Sequence, residues 1–266
     1  MRVIILTSSI YGIAAYAGPL LYKEPDIEIS MIVFNEGLLI NKKKYYLKKI
    51  SKIFKIGLFG ALNGIRMRRW FGKEVEKFLP TVNLEIFCNQ NNIEFRRTPT
   101  INSNTTKDLF KKANADIGIS LGNSFISKSV FSICSRGMIN VHGEILPDYQ
   151  NAQSVIWQLY NNSAETGYTI HKINQRIDQG DILYKEKLPI IFRDTLRETI
   201  AYNCAEITRN ASIALIRIIK NFDFYNESAI PQGVGKHYTT PNIRQFIRIK
   251  KHFSLLKSRV HQQLNK

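Results

Sequence analysis

Three side chains, two close together and one distant along the chain, have the chemistry of an acyl-transfer site. Asn140 and His142 lie two residues apart, and Asp178 follows later in the Asp-Gln-Gly step at 178–180. An amide N–H can stabilise a developing oxyanion, an imidazole can move a proton, and a carboxylate can orient the imidazole. The pattern contains no nucleophilic serine or cysteine and no metal-ligand spacing. It therefore indicates acyl transfer to an amine of the substrate, without a covalent enzyme intermediate.

The local pattern predicts that Asn140 and His142 lie on a buried strand. Met138, Ile139 and Val141 form a short apolar run after the turn signal Arg136-Gly137. Successive side chains on a strand point to opposite faces, so two residues that are two positions apart share a face. We therefore expect the amide and the imidazole to point into the same space.

A second predicted strand, 166–173, leads into Asp178. Its alternation places Thr169 and His171 on a common face with Ile173. Gly180 follows at a position where a glycine can turn the chain tightly beside a ligand.

Strand candidates alternate with helical segments along the chain, which predicts an α/β protein with a mostly parallel, twisted sheet flanked by helices. Ligands bind such sheets at the carboxyl ends of the strands, where Asn140 and His142 are expected. The predicted strands are 3–6, 27–33, 93–97, 115–120, 137–141 and 166–173, and the predicted helices are 81–92, 104–114, 127–135 and 154–162.

At these residues the sequence resembles the folate-dependent formyltransferase family, whose members include glycinamide ribonucleotide, methionyl-tRNA and sugar-nucleotide N-formyltransferases. The family pattern is Asn-x-His, then Leu-Pro, then Asp-x-Gly, and Thr-Gly-x-Thr lies between the last two. This sequence carries these steps in order at 140–142, 146–147, 166–169 and 178–180. The resemblance is dense over about 115–191, thinner over the first strand and 84–105, and absent from about 38–80.

The resemblance implies a Rossmann-like fold and transfer of a formyl group from 10-formyltetrahydrofolate to an amine. Asn140 would donate an N–H to the developing oxyanion, and His142 would stabilise the same charge and shuttle a proton. Asp178 would hold His142 in its tautomer.

The resemblance also implies contacts with the co-substrate and the acceptor. The expected folate contacts are Phe125, Ile126, Ile173, Asn174 and Gln175, and the expected acceptor contacts are Leu146, Pro147, Gln150 and His171. Phe125 and Ile126 could equally be packing residues of the following helix, and His171 could be a strand histidine with its hydrogen bonds satisfied. Many relatives have Arg-Gly where this chain has Gln150-Asn151, which leaves the acceptor open.

Composition fits an ordinary enzyme with one sizeable core and an appendage. The chain has 266 residues, and 44% of them are hydrophobic. We divide it into a catalytic domain at 1–222, with a helical insertion at about 38–80, and a basic extension at 223–266. The cysteines at 88, 134 and 204 are scattered and form no Cys-x-x-Cys, which favours the reducing cytoplasm and argues against a disulfide framework or a zinc site. No apolar window is long enough to predict a membrane span.

Positive charge is the other unusual property. The net charge is +17, with eleven Lys or Arg and no acid over 42–73, and no acid after Glu227. Leu47, Ile50, Phe54, Leu58 and Ala61 recur at helical spacing, which predicts a basic amphipathic helix at about 42–69. Three interpretations stay open: an insertion whose apolar stripe packs on the domain, a helix on an anionic membrane surface at the inner face, or a tRNA contact.

Elimination favours an amino sugar as the acceptor. The tRNA enzymes carry a sizeable C-terminal β-barrel, whereas 223–266 is short and its pattern is helical and basic. The compact purine enzymes lack both basic blocks. We therefore expect an anionic amine acceptor, namely a nucleotide-linked amino sugar used for surface polysaccharide. Methionyl-tRNA formyltransferase, formyltetrahydrofolate hydrolase and a non-catalytic module that binds a polyanion or membrane are the alternatives, and a homodimer is left open.

Overall fold

Seven strands form the sheet of the computed structural model, which describes residues 1–38 and 42–264. The strands are β1 Arg2–Thr7, β2 Glu28–Asn35, β3 Phe95–Thr98, β4 Ile117–Leu121, β5 Met138–His142, β6 Glu165–Lys172 and β7 Ile182–Pro189. Their order across the sheet is β3-β2-β1-β4-β5-β6-β7. The first five strands pair in parallel, whereas β6 runs antiparallel to β5, and β7 antiparallel to β6.

Helices flank the sheet and extend from one end of it. They are α1 Ile13–Tyr22, α2 Lys42–Arg68, α3 Lys73–Glu76, α4 Leu84–Gln90, α5 Asn104–Ala113, α6 Lys128–Phe131, α7 Ile156–Tyr160, α8 Leu196–Lys220, α9 Phe222–Glu227 and α10 Ile243–Leu264. The long α8 begins with a capping box in which Thr195 and Glu198 satisfy each other's backbone N–H groups.

The central strands are buried on both faces, because helices cover each side. On one face Val3 and Ile5 belong to the apolar cluster that includes α1 and α8. On the other face Ile4 and Leu6 lie in the cluster that includes α5 and α6. Buried parallel strands need near-continuous apolar sequence, which β1 and β4 have.

The predicted α/β fold with a mostly parallel sheet is confirmed. Each predicted strand is present with ends within two residues of the expected ones. The alternation did not predict β7, α1 or the long α8. The predicted helix 154–162 is shorter, because Val155 has a φ of 69° and the helix starts only after it.

The basic amphipathic helix is present as α2, but its packed face differs from the predicted stripe. Residues Ile56, Gly60 and Met67 are buried, whereas Leu47, Ile50, Phe54 and Leu58 are at least half exposed. The interpretation in which that stripe packs on the domain is therefore wrong. Gly57 interrupts the helix with a φ of 75°, a conformation that glycine adopts without steric cost.

Glycines also allow α2 to approach the segment before α10 closely. A Cβ at Gly64 would lie 2.8 Å from Cγ2 of Thr240, and one at Gly60 would lie 3.3 Å from Cα of Asn242. Within 1–38 and 42–264, no helix is long and apolar enough to cross a bilayer. The predicted domain boundary at 222 stays a prediction. Ile230 pairs with Ile182 at the start of β7.

A substitution at Gly180 tests the fold of the loop that carries Asp178. A Cβ there would lie 1.7 Å from the carbonyl oxygen of Lys172, so the two backbone segments must separate. Gly180→Ala should lower the free energy of unfolding by about 3 kcal/mol, the upper end of the usual cost of overpacking. Urea unfolding of wild type and variant measures this difference in the free energy of unfolding. Gly233→Ala is the control, since nothing lies within 4 Å of the added Cβ; equal stability of the two variants would contradict the close approach.

Candidate active site

A cavity of about 360 Å³ opens at the carboxyl ends of β4 and β5. Three chain segments supply polar groups to its wall: the end of β5, the end of β6, and the loop between β6 and β7. The candidate residues that line it are Asn140, His142, His171, Asp178, Phe125, Ile126, Ile173 and Asn174. The remaining candidates, Leu146, Pro147, Gln150 and Gln175, are absent from its lining.

Strand register places Asn140 and His142 beside β6. In the antiparallel pairing, Asn140 lies opposite His171, and His142 lies opposite Thr169. Asn140 and His142 are both partly buried and both line the cavity. The two side chains therefore share a face, as the alternation along the strand predicts.

Asp178 reaches the same space from the loop after β6. Its backbone is in the left-handed region, with a φ of 53°. The backbone N–H of Asn151 donates to its Oδ2 at 2.9 Å, and Nε2 of Gln150 donates to its carbonyl oxygen at 3.3 Å. Asn151 has a φ of 51°, so asparagine does take the left-handed conformation at this turn. These bonds hold the carboxylate in place.

The carboxylate of Asp178 lies between two imidazoles. Its Oδ1 is 3.8 Å from Nδ1 of His142 and 3.9 Å from Nε2 of His171. Both distances allow an ion pair and exceed that of a direct hydrogen bond. Since the three side chains are at most 13% exposed, little bulk water screens their charges.

The tautomer of His171 follows from its two hydrogen bonds. Its Nδ1 is 2.8 Å from the carbonyl oxygen of Lys172, which can only accept, so Nδ1 carries the proton. Nε2 then accepts from Nδ2 of Asn140 at 3.2 Å. This bond fixes the amide orientation of Asn140 and leaves its second N–H for another acceptor.

His171 is neutral at neutral pH. Its pKa is lowered to about 4, mainly by burial and next by the neighbouring His142, while the Lys172 carbonyl and Asp178 act in the opposite direction. Desolvation disfavours the charged imidazolium, which explains the direction of the shift. His171 is a strand histidine whose two ring nitrogens are both hydrogen-bonded, and it also lines the cavity. Both interpretations of this residue therefore agree with the structure.

The tautomer of His142 is set by Tyr149, a residue that the sequence did not indicate. Nε2 of His142 lies 3.0 Å from the carbonyl oxygen of Tyr149 and therefore donates to it. Nδ1 faces Asp178. The resemblance assigns the choice of tautomer to Asp178, through an ordered water as well; at 3.8 Å its carboxylate accepts no direct hydrogen bond from the ring. A main-chain carbonyl leaves no residue-type signal, so sequence reasoning could not find it.

The two predicted folate loops form opposite parts of the cavity wall. Phe125 is 44% exposed there, whereas Ile126 is nearly fully buried in the cluster beneath α6. The amide of Asn174 is used within its own loop, because it accepts from the Arg176 N–H at 2.8 Å and donates to the Gln179 carbonyl at 2.9 Å. Gln175 is exposed outside the cavity lining.

Three predicted acceptor contacts lie away from the cavity lining. Leu146 is fully buried, and its N–H donates to Oγ1 of Thr169. Gln150 is 1% exposed and connects two segments. Its side-chain amide donates to the carbonyl of Asp178, and its own carbonyl accepts from the N–H of Tyr238, which precedes α10. Pro147 accepts from the N–H of Lys236 in the same segment. These residues support the loop that positions Asp178.

Sequence reasoning missed other lining residues. Arg176 lies in the wall close to Asp178, and Asn123 lies at the opposite side. The side chain of Asn123 donates to the Leu6 carbonyl and to Ser120, and so ties the loop after β4 to β1. A basic residue two positions before the aspartate was the available signal for Arg176.

The Formyl transferase family model matches residues 84–216, which is half of the chain. The chain therefore belongs to the formyl transferase family. The match covers the segments that form β5, β6 and the loop of Asp178.

Curated relatives match over part of their length. A methionyl-tRNA formyltransferase of Ehrlichia canis is 27% identical over 148 residues, covering 55% of this chain and 48% of the relative. One of Wigglesworthia glossinidia brevipalpis is 34% identical over 157 residues, covering 57% and 48%. The chain spans about half the length of these relatives.

Solved structures share the fold over most of the chain. A phosphoribosylglycinamide formyltransferase from Anaplasma phagocytophilum superposes with a TM-score of 0.57 at 14% identity, covering 90% of this chain and 99% of that one. An N-formyltransferase from Helicobacter canadensis, in complex with folinic acid and dTDP-3-aminofucose, gives 0.57 at 15% identity, covering 95% and 80%. At these identities the likeness concerns the fold.

The buried His171 predicts a loss of stability in mild acid. Its pKa falls from 6.5 to about 4 on folding, so the unfolded chain takes up the proton first as the pH decreases. The neutral ring therefore contributes fully to stability above the unfolded-state pKa of 6.5, and this contribution is lost as the pH falls towards the folded-state pKa of about 4. Between about pH 7 and about pH 5, wild type should lose about 2 kcal/mol more than His171→Gln.

Urea unfolding at the two pH values measures this difference. His237→Gln is the control, because His237 is exposed, and it should behave as wild type does. A pH dependence that persists unchanged in His171→Gln would contradict the assignment of a buried neutral imidazole.

Proposed function

We propose that this protein transfers a formyl group from 10-formyltetrahydrofolate to a primary amine, with Asn140, His142 and Asp178 as the catalytic residues. The proposal rests on one observation: an amide and an imidazole from the end of β5 meet a carboxylate from the loop after β6 in one cavity at the edge of the sheet. Membership of the formyl transferase family supports the reaction class.

The cavity fits a folate in size and chemistry. Its volume of about 360 Å³ lies within the range of small-molecule sites. Phe125 and Ile173 offer apolar surface for a flat ring, and Asn140 has an amide N–H that is free to donate. Ile126, Asn174 and Gln175 stay proposed contacts of the co-substrate.

Each residue of the trio has a step that its geometry permits. Asn140 donates its second N–H to the oxygen of the formyl group as negative charge develops there. His142 takes up the proton that the attacking amine releases on its Nδ1, since Nε2 already donates to Tyr149. Asp178 stabilises the resulting imidazolium from 3.8 Å. His142 then returns the proton to the nitrogen that leaves the formyl carbon.

The neutral state of His171 supports this division of roles. Because burial keeps its ring uncharged, the negative charge of Asp178 is available to His142. Its hydrogen bond holds the amide of Asn140 towards the cavity. His171 therefore acts as a positioning residue.

We propose a nucleotide-linked amino sugar as the acceptor, made for surface polysaccharide. Arg176 in the cavity wall and the net charge of +17 suit an anionic diphosphate. Of two fold relatives that cover 95% of this chain, one is by name a sugar 3N-formyl transferase, and the other is an N-formyltransferase in complex with dTDP-3-aminofucose. Leu146, Pro147 and Gln150 would affect acceptor binding indirectly, because they stabilise the loop beside the cavity.

Methionyl-tRNA is the second candidate acceptor. The curated relatives given above are methionyl-tRNA formyltransferases, and their sequence identity of 27% and 34% exceeds that of the fold relatives. The excess of positive charge would also suit an RNA backbone.

We place the reaction in the cytoplasm, where thiols stay reduced. The cysteines are free, and burial raises the pKa of Cys88 to about 12 and that of Cys134 to about 11. Thiols with such pKa values are protonated at neutral pH, so they do not compete as nucleophiles.

Removing the oxyanion donor tests the trio. Asn140→Ala should lower kcat for formyl transfer by about 100-fold or more, with unchanged circular dichroism. Asp178→Asn should also lower kcat, since the imidazolium then lacks its counter-charge. Asn104→Ala and Asp108→Asn are the controls, because both residues are exposed on α5. Wild-type activity in Asn140→Ala would refute the catalytic role, and absence of turnover in every form would favour a binding module.

An acceptor panel tests the substrate class. Amino-sugar nucleotides, methionyl initiator tRNA and glycinamide ribonucleotide would each be incubated with 10-formyltetrahydrofolate and the full chain, and formylated product measured by mass spectrometry. We expect turnover with an amino-sugar nucleotide. Turnover with tRNA alone would reject that acceptor, and formate release without any acceptor would identify a hydrolase.

A further inference from the structure

Many large apolar side chains are exposed along α2, on both sides of its interruption at Gly57. Nine of them lie on α2 between residues 46 and 65, with exposed fractions from 40% to 85%. They are Tyr46, Leu47, Ile50, Ile53, Phe54, Leu58, Phe59, Leu62 and Ile65. Scattered apolar residues are normal on a surface, but a contiguous set of this kind marks an interaction site.

Helix α10 continues this apolar surface. A groove of about 390 Å³ runs between the two helices, with Phe59 and Leu62 on one side and Ile243 and Ile247 on the other. We call the exposed side chains of α2 at 46–65 together with Ile243 and Ile247 the α2–α10 face.

Cations surround the α2–α10 face. Arg66 and Lys250 border the groove, and the sequence from 42 to 73 contains no acid. Among the α2 side chains that the structure describes, none of the cations is paired with a carboxylate within 4.0 Å. By contrast, Lys220 and Arg209 elsewhere form ion pairs with glutamates. The charge on α2 is therefore available to an external anion.

The first half of α2 has the arrangement of a helix that lies on a bilayer. Leu47, Ile50 and Phe54 share one side by their spacing of three and four residues. By the same spacing, Lys55 lies at the border of this apolar stripe, and Lys52 lies on the opposite side of the helix. An apolar face bordered by lysines enters the boundary between headgroups and acyl chains, while the lysines reach lipid phosphates.

We propose that the α2–α10 face docks on an anionic membrane surface. A second copy of the chain fits less well, because it would bring the same unpaired positive charge against this face. A nucleic acid would match the cations, but it would leave Phe54, Leu58 and Phe59 against phosphates and water. A bilayer with anionic headgroups satisfies the apolar and the charged side chains together.

The docking face is attached to the catalytic domain through packed contacts. On the opposite side of α2, Gly60 and Gly64 lie against the segment 240–242, and Met67 is fully buried. The residues just before this segment bind elements close to the active site. The N–H of Tyr238 donates to the carbonyl of Gln150, which in turn holds Asp178, and the indole of Trp157 in α7 donates to the carbonyl of Thr239. Docking therefore holds the enzyme at the membrane through the elements that also support Asp178.

Flotation of the full chain with vesicles tests this inference. We expect binding to phosphatidylcholine vesicles that contain phosphatidylglycerol, and none to phosphatidylcholine alone. K49E/K52E should lower the partition coefficient by at least about 25-fold, because each lost lysine is worth about fivefold and each new glutamate adds repulsion. F54S/L58S should weaken it by at least about 10-fold, since two exposed apolar side chains no longer enter the bilayer.

Matched variants control for net charge and for loss of apolar surface. K23E/K111E has the same change in net charge as K49E/K52E, and I86S/I213S removes exposed apolar side chains of α4 and α8. Both should bind as wild type does. Circular dichroism establishes that every variant is folded.

Several outcomes would overturn the inference. These are no flotation of wild type, equal binding to neutral vesicles, or F54S/L58S binding as tightly as wild type. A wild-type dimer that F54S/L58S converts to monomer without any vesicle binding would assign the face to self-association. Binding to duplex RNA that survives F54S/L58S, again without vesicle binding, would assign the cations to nucleic acid.

Discussion

The pairing between β5 and β6 is the constraint on which the catalytic arrangement depends. Its register places Asn140 opposite His171, and a slip by one residue would move every side chain of β6 to the other face. The Lys172 carbonyl fixes the His171 tautomer, and the ring then orients the amide of Asn140. One antiparallel ladder thus determines which atom of the amide faces the cavity.

The loops around this ladder provide complementary electrostatics. Asp178 is held by main-chain and side-chain donors from residues 150 and 151, and its carboxylate lies between two imidazoles. Burial keeps one of these imidazoles neutral, so a single positive charge on the other can form beside the carboxylate. The site therefore carries a preorganised counter-charge without a metal ligand set among the described residues.

The segment before α10 connects two surfaces that differ in chemistry. Its residues 236–239 bind the loop at 147–151 and Trp157, next to the carboxylate, and Thr240 then packs on α2. The catalytic loop is buried and hydrogen-bonded, whereas the outer side of α2 is apolar, basic and exposed. One short segment therefore contacts both the loop that supports Asp178 and the packed side of α2.

The sequence by itself determined the residue types of the trio, the parallel strands and the basic amphipathic helix. Each of these depends on local patterns: an apolar run, alternation, or a repeat of three and four residues. The strand β7 escaped prediction because it lies at the sheet edge, half exposed and rich in lysine and glutamate; α8 also escaped prediction, although the capping box of Thr195 and Glu198 marks its start.

Only the tertiary structure decided which groups touch. The hydrogen bond from His142 to the Tyr149 carbonyl involves a main-chain atom, which no residue type reveals. Gln150 binds the backbone of Asp178, and the predicted stripe of α2 is exposed while Ile56 and Met67 pack inward. These outcomes depend on how a loop and a helix meet distant segments. The spacing of apolar residues predicts that a helix has an apolar face, but the tertiary fold determines which face is covered and by which segment.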